Sequence, residues 1–218
     1  MTDNTRRNIH ITIVIICLFM ATMVGMMLSA QLREPVPSEE ELRERGVFIF
    51  DQPRIVRPFS LTSHHDKDFT NDDLEGPWTL IFFGFVNCPD ICPITMAMLN
   101  QVLVNMDDSS IVDSTQVVMV TVDPARDTVE TLAEFVPYFN QDFIGLTGEF
   151  MDIHTFASNL NAAFQRVPGD KDNYTVDHTG YIFLINPRGD YHGFIRPPFT
   201  VQQFSDNYQA VRKMYQHL

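Results

Sequence analysis

The stretch that decides the fold reads Trp78-Thr-Leu-Ile-Phe-Phe-Gly-Phe-Val-Asn-Cys88-Pro-Asp-Ile-Cys92-Pro93. Residues 78–86 form an uninterrupted apolar run, which is typical of a strand covered on both faces. Two cysteines follow this run, with three residues between them. Thiols at a strand-to-helix turn can form a disulfide or donate thiolates to a soft metal. The rest of the sequence has to decide between these two chemistries.

Pro93 indicates how the two cysteines are presented. On one helix, Cys88 and Cys92 would have Cβ atoms about 5–6 Å apart, too far for a relaxed disulfide. A proline disfavours the helical conformation of the preceding residue and has no N–H to donate. We therefore predict that Pro93 is the first helical residue and that Cys88 to Cys92 form a loop. The helix N-terminus behind that loop is expected to favour thiolates.

Strand and helix patterns alternate on both sides of this stretch. Upstream, residues 47–50 and 55–61 resemble short strands, and residues 64–68 predict a hairpin turn whose His64-His65 pair lies at a solvated tip. Downstream, apolar spacing predicts helices over 94–106, 128–139, 149–164 and 201–217 and strands over 116–122, 143–146, 178–185 and 191–195. Asp127 is the expected N-cap of the second helix.

This order of elements predicts the fold class. A βαβ half followed by a β-hairpin and a closing helix is the arrangement of an α/β, thioredoxin-like fold. Here it carries an N-terminal strand extension and a central strand-helix insertion, and one transmembrane helix precedes it.

The N-terminal segment differs in kind from the rest. Residues 8–32 contain no Asp, Glu, Lys or Arg, and they are long enough to cross a bilayer as a helix. Arg6 and Arg7 precede this span and acidic residues follow it, so the positive-inside rule places the N-terminus in the cytoplasm. A signal peptide cleaved after Leu28-Ser29-Ala30 is the alternative. We expect residues 1–7 to be cytoplasmic, 8–32 an anchor, 33–45 a tether, and 46–218 an exported thioredoxin-like domain.

Composition excludes some partners. The chain has 218 residues, of which 44% are hydrophobic and 11% aromatic, enough for a sizeable core. Its formal net charge of -13 argues against a nucleic-acid partner, which would require a basic surface.

The exported part holds only two cysteines, because Cys17 lies in the apolar span. A disulfide that closes so short a loop would stabilise the fold weakly. A metal site would need a third ligand from a distant segment. The histidines of the chain are His10, His64, His65, His154, His178, His192 and His217. His178 stands out because it would begin a strand beside the one that leads to Cys88, although a lone histidine is more often structural.

Four segments resemble, in order, the signature segments of the SCO/SenC family. They read Gly84-Phe-Val-Asn-Cys88-Pro-Asp-Ile-Cys92-Pro, Thr121-Val-Asp123-Pro-Ala-Arg126-Asp127-Thr, Gly145-Leu-Thr-Gly148 and Asp177-His178-Thr. The resemblance implies a membrane-tethered thioredoxin-fold protein that binds copper through Cys88, Cys92 and His178. Such proteins help to load the dinuclear copper centre of cytochrome c oxidase subunit II.

The chemistry of these ligands agrees with the resemblance. Two thiolates and one imidazole suit Cu(I) and can also hold Cu(II), whereas a structural zinc site normally has four protein ligands. Asp177 could orient the imidazole or form a turn, and Asp123 could face the same rim or form a turn. Arg126 and Asp127 are assigned to local structure.

Two functions remain open at this point. The first is a copper metallochaperone, not an enzyme in the strict sense, whose partners are oxidase subunit II, an upstream copper donor and a thiol reductant. The second is a thiol-disulfide oxidoreductase that uses Cys88 and Cys92 to keep the cysteines of subunit II reduced. We expect the chain in a bacterial inner membrane with its C-terminal domain in the periplasm, because no Arg- and Ser-rich transit peptide precedes the span. The alternative is a mitochondrial inner membrane, with the domain facing the intermembrane space.

Overall fold

The computed structural model describes residues 3–31, 37–170 and 173–215. The chain divides into two compact units, Met1–Val36 and Pro37–Leu218. The first unit contains helix α1 (Asp3–Gln31). Its stretch His10–Met27 has a mean hydropathy of 2.2, so the predicted apolar helix is present and is long enough to cross a membrane. Leu32, the last residue of the predicted span, lies outside the described residues.

The second unit begins earlier than the sequence predicted. Helix α2 (Glu39–Glu44) lies within the predicted tether 33–45, of which residues 33–36 are outside the described residues. Ser38 and Glu41 form a capping box, in which each side chain accepts a hydrogen bond from the backbone N–H of the other residue. Leu42 is buried in the core with 1% of its surface exposed. Residues 37–45, which the sequence analysis assigned to the tether, therefore belong to the compact unit Pro37–Leu218.

Within the described residues, the domain is built on a mixed sheet of eight strands. They are β1 (Val47–Ile55), β2 (Ser60–Ser63), β3 (Asp68–Thr70), β4 (Trp78–Gly84), β5 (Thr115–Thr121), β6 (Ile144–Thr147), β9 (Ile182–Ile185) and β10 (Asp190–Ile195). Their order across the sheet is β1-β10-β9-β4-β5-β6-β2-β3. β4 is parallel to β5, and β5 is parallel to β6, while the other pairs are antiparallel.

In the part of the domain that the structure describes, five α-helices follow α2. They are α3 (Ile91–Val104), α4 (Ser109–Asp113), α5 (Val129–Phe139), α6 (Phe150–Asn159) and α7 (Val201–Tyr215). α3 packs against α5 and α7. Every residue of β4 is buried, as the apolar run predicted. The β4-α3-β5 unit, the β9-β10 hairpin and α7 confirm the thioredoxin-like fold, with β6 as the inserted strand.

Three local predictions are corrected by the structure. α5 begins one residue later than predicted, and its N-cap is Thr128, whose hydroxyl accepts from the N–H of Thr131. His64 is not at a solvated tip: it is 5% exposed, and its Nδ1 accepts a hydrogen bond of 3.0 Å from the N–H of Gly145. His65 beside it is exposed, and the predicted hairpin turn itself is present between β2 and β3.

One hairpin of the structure was not predicted from the sequence. β7 (Phe164–Asp170) and β8 (Asn173–His178) pair with each other as a separate two-stranded sheet. The third predicted helix therefore ends at Asn159 rather than at residue 164. His178 is the last residue of β8 and not the first residue of the following strand, which begins at Ile182.

Candidate metal centre

Three side chains from distant parts of the chain converge at one edge of the sheet. The Sγ atoms of Cys88 and Cys92 and a ring nitrogen of His178 all lie within 4.8 Å of one another. Among the described residues, no second group of three or more metal-ligating side chains was found at this spacing. Cys88 follows the carboxyl end of β4, next to β5, and this edge of a parallel sheet is where ligands commonly bind.

The two cysteines are presented differently from each other. α3 begins at Ile91, so Cys88 lies in the preceding turn and Cys92 lies in the first turn of the helix. The prediction that Pro93 begins the helix is wrong by two residues. Pro93 is tolerated there because the N–H groups of the first helical turn have no partner within the helix, and its missing N–H therefore breaks no helical hydrogen bond.

Cys92 is fully buried, and Gly84 gives its sulfur the room that it occupies. A Cβ atom added at Gly84 would lie 3.0 Å from Sγ of Cys92 and 2.7 Å from the ring of Phe82. Gly84 is the last residue of β4, in an otherwise apolar strand. A glycine inside a buried strand signals a close approach, and this signal was available in the sequence.

The imidazole of His178 is oriented by contacts on both ring nitrogens. Nε2 lies 3.6 Å from Sγ of Cys92, and Nδ1 lies 3.4 Å from the carbonyl oxygen of Thr179. The tautomer that carries its proton on Nδ1 donates to that carbonyl and leaves the lone pair of Nε2 facing the sulfurs. The rings of Phe82 and Phe85 meet the imidazole edge to face. Asp177, for which the sequence left open a role in orienting the imidazole or in forming a turn, is exposed, and the carbonyl of Thr179 contacts Nδ1.

Burial sets the protonation states at this site in the metal-free protein. Burial, followed by a hydrogen bond with Cys88, raises the pKa of the Cys92 thiol well above its usual value. The expected thiolate at the helix N-terminus is therefore not favoured, because loss of hydration outweighs the helix dipole. Burial also lowers the pKa of His178, so its imidazole is neutral at pH 7 and available as a ligand.

Asp127 supports the loop that carries Cys88. Its Oδ2 accepts hydrogen bonds from the N–H of Val86 at 3.0 Å and from the hydroxyl of Thr121 at 2.6 Å. Its Oδ1 is buried with no hydrogen-bond partner among the described residues, and burial raises the pKa of this carboxyl group. The sequence assigned Asp127 to local structure as an N-cap, whereas the structure shows that it ties the β5 edge to the cysteine loop.

A second polar cluster joins the loop after β5 to β8. Asp123 is 4% exposed, and its carboxylate accepts from the hydroxyl of Tyr174 at 2.6 Å and from Nε of Arg126. Arg126 in turn donates to the backbone oxygen of Tyr174 at 3.1 Å. Asp123 thus lies on the rim where the sequence placed it, while Tyr174 was missed.

The other histidines lie outside the group of three. His64 is occupied with Gly145, and His154 is exposed on α6. His192 is buried beside the rings of Trp78 and Tyr215. His10 lies in α1, and His217 is outside the described residues.

The donor set itself limits the chemistry. Two sulfurs and one imidazole nitrogen are soft donors that suit copper, and no carboxylate is part of the group, as magnesium or calcium would require. The same two sulfurs are close enough to exchange between dithiol and disulfide, and both cysteines are free in this structure.

Comparisons with known proteins point to one family. The family model described as SCO1/SenC matches residues 50–213. The human "Protein SCO1 homolog, mitochondrial" is 34% identical over 160 residues, which cover 73% of this chain and 52% of that protein. The chain therefore spans about half the length of this relative.

Solved structures agree with this match. The crystal structure of Arabidopsis thaliana ScoI with copper bound has a TM-score of 0.68 at 31% identity, covering 73% of this chain and 99% of that one. The structure of BsSco has a TM-score of 0.57 at 23% identity, covering 74% of this chain and 96% of that one, a likeness of fold. A disulfide switch has been identified in BsSco, a member of the Sco family of cytochrome c oxidase assembly proteins.

Proposed function

Because the chain belongs to the SCO1/SenC family, we propose that it binds copper through Cys88, Cys92 and His178 and acts in the assembly of cytochrome c oxidase. The observation that carries this proposal is the convergence of two sulfurs and one imidazole nitrogen within 4.8 Å. The copper-bound ScoI structure among the similar proteins supports the choice of metal.

Copper would be held by two thiolates and by Nε2 of His178. The contact between Nδ1 and the carbonyl of Thr179 orients the ring and keeps Nε2 as the ligand atom. Copper must displace the proton of Cys92, whose pKa is raised by burial, so binding releases a proton. A disulfide has no thiol that could become a thiolate ligand, so the reduced protein is the form that binds copper.

The recipient in this proposal is the dinuclear copper centre of cytochrome c oxidase subunit II. The chain would act as a metallochaperone that receives copper from an upstream donor and depends on a thiol reductant. Residues 8–32 would anchor it in a bacterial inner membrane, with residues 1–7 in the cytoplasm and the copper-binding domain in the periplasm. A site at the edge of the sheet of a tethered domain suits transfer to a membrane-bound partner.

The proposal is tested by Cu(I) affinity, measured by competition with a Cu(I) chelator on the reduced full chain in detergent. His178→Ala should lower the affinity at least tenfold, because it removes one of three ligands. His65→Ala removes an exposed histidine outside the site and serves as the matched control. Equal affinities for the unsubstituted protein and His178→Ala would exclude His178 as a ligand.

A thiol-disulfide oxidoreductase is the second candidate, favoured by two free cysteines whose sulfurs lie within 4.8 Å. It requires Cys88 and Cys92 but not His178. The His178→Ala protein should therefore keep its dithiol-disulfide cycle. If it reduces the cysteines of subunit II as fast as the unsubstituted protein and neither protein transfers copper, the oxidoreductase reading is correct.

A further inference from the structure

In the described parts of the chain, the hairpin that carries His178 is not paired with any strand of the main sheet. Among the described residues, β7 and β8 pair only with each other. At the base of the hairpin, Thr179 donates its N–H to the oxygen of Ala163 at 2.9 Å, and its hydroxyl accepts from the N–H of Ala163 at 3.0 Å. A lone two-stranded hairpin has little stability of its own in water. Its position must therefore depend on side chains that attach it to the domain.

Tyr174 provides such an attachment. Its ring lies between two guanidinium groups, with Cζ of Arg126 3.7 Å and Cζ of Arg166 3.5 Å from the ring centroid. Its hydroxyl donates a hydrogen bond of 2.6 Å to Oδ1 of Asp123. Arg126 also donates to the backbone oxygen of Tyr174. We call the group Asp123, Arg126, Arg166 and Tyr174 the hairpin clamp.

The clamp is fixed to the same rim that carries the cysteines. Asp123 is buried two residues after the end of β5, and the N–H groups of Arg126 and Asp127 donate to its backbone oxygen. Asp127 then reaches Val86, two residues before Cys88. A continuous set of contacts thus runs from the cysteine loop to β8.

The periodicity of β8 transmits this attachment to the imidazole. Residues 174, 176 and 178 lie on one face of the strand, because successive side chains alternate. Val176 between them is buried with 5% exposure. Four residues of strand span about 13 Å, so a small rotation at Tyr174 displaces His178 from Cys92.

We propose that Tyr174 is a positioning residue for copper, which holds β8 so that Nε2 of His178 faces Sγ of Cys92. This inference rests on the proposed function. Tyr174 touches no ligand atom and acts through His178. When the clamp opens, the fraction of molecules with His178 in place falls, and the copper affinity falls by the same factor.

The test compares Cu(I) affinities of the reduced full chain in detergent. Tyr174→Phe keeps the ring between the two guanidinium groups but removes the hydrogen bond to Asp123, and we expect about tenfold weaker binding because the acceptor is a carboxylate. Tyr174→Ala should weaken binding further. Tyr138→Phe removes a phenol hydroxyl from an 85% exposed tyrosine on α5 and should change nothing.

A double-substitution cycle separates positioning from a general loss of stability. In the His178→Ala background, Tyr174→Phe should have no further effect on Cu(I) affinity, because the imidazole that Tyr174 positions is absent. An equal loss in both backgrounds would show that Tyr174 acts on the cysteines or on the fold, and would overturn the inference. Amide hydrogen exchange gives a readout without metal: the amides that pair β7 with β8 should exchange faster in Tyr174→Phe, while those of β4 stay protected.

The outcomes also distinguish this inference from the proposed function. If His178→Ala weakens binding and Tyr174→Phe stays within twofold of the unsubstituted protein, the positioning role is wrong and the copper site stands. If His178→Ala leaves the affinity unchanged, the ligand set is wrong and the inference falls with it. If Tyr174→Ala fails to fold, the positioning role is decided by Tyr174→Phe and by Asp123→Asn. The second substitution weakens the hydrogen bond between Tyr174 and Asp123 by replacing its carboxylate acceptor.

Discussion

Nε2 of His178 lies 3.6 Å from Sγ of Cys92, although 86 positions separate the two residues in the chain. Cys92 lies in the first turn of α3, and His178 lies at the end of a hairpin outside the main sheet. This contact is what turns a pair of thiols into a three-donor site.

Oxidation of the cysteine pair should abolish copper binding. A disulfide uses both sulfurs as bonding partners of each other, so neither can be a thiolate ligand. We expect the oxidised full chain to bind less than a tenth of the Cu(I) that the reduced chain binds, measured as metal retained after desalting. Treatment with a thiol reductant should restore the stoichiometry. Retention of one Cu(I) per oxidised chain would contradict a dithiolate site.

Gly84→Ala should weaken both the fold and the copper site. The added Cβ would lie 3.0 Å from Sγ of Cys92 and 2.7 Å from the Phe82 ring, so both groups must shift. Overpacking of this kind costs roughly 1–3 kcal/mol of unfolding free energy. Thermal unfolding and Cu(I) competition should both report the change. Gly25→Ala, where the added atom meets nothing within 4 Å, is the matched control and should leave both readouts unchanged.

Cu(I) affinity should rise with pH around neutrality. The raised pKa of Cys92 means that its thiol is protonated there, and copper must displace that proton. His178 adds no opposing change because its pKa is lowered and its imidazole is already neutral above pH 7. The affinity should therefore increase about tenfold or more per pH unit between roughly pH 7 and 8. A competition assay that finds no pH dependence over this interval would refute the proton displacement.

His192 should make the fold sensitive to acid. Burial, with a smaller effect of Arg188, lowers its pKa from 6.5 to about 4 in the folded protein. The unfolded chain binds the proton more tightly, so stability is full above about pH 6.5 and falls as the pH drops towards about 4, by at most about 3 kcal/mol. His192→Phe keeps a ring beside Trp78 and Tyr215, and should flatten this part of the stability curve.

The control for this prediction is His65→Ala, which removes an exposed histidine. Denaturant unfolding of both variants between pH 7 and 4 measures the effect. If His192→Phe loses as much stability over that interval as the unsubstituted protein, another group causes the acid sensitivity.

Much of the fold could be predicted from the sequence because its strongest signals are local. The apolar run at residues 78–86 is typical of a buried strand, and the alternation that follows it predicts a βαβ unit. Element boundaries were less accurate, because they depend on single side chains. Cys92 lies within α3 although Pro93 follows it, because a proline in the first turn breaks no helical hydrogen bond.

The site was harder to predict because its supporting contacts are long-range. Nothing local indicates that Tyr174 bonds to Asp123, 51 positions earlier, or that Asp127 reaches Val86, 41 positions earlier. β7 was missed because its strand pattern includes polar and glycine residues and depends on pairing with β8. The period of two in Tyr174, Val176 and His178 was present in the sequence and would have indicated β8.

X-ray absorption spectroscopy at the copper edge tests the central claim most directly, because it counts the ligand atoms of the metal. The reduced full chain loaded with one Cu(I) should show two sulfur scatterers and one imidazole, and the imidazole signal should disappear in His178→Ala. A spectrum with fewer than two sulfurs, or with an imidazole that persists in His178→Ala, would contradict a site made of Cys88, Cys92 and His178.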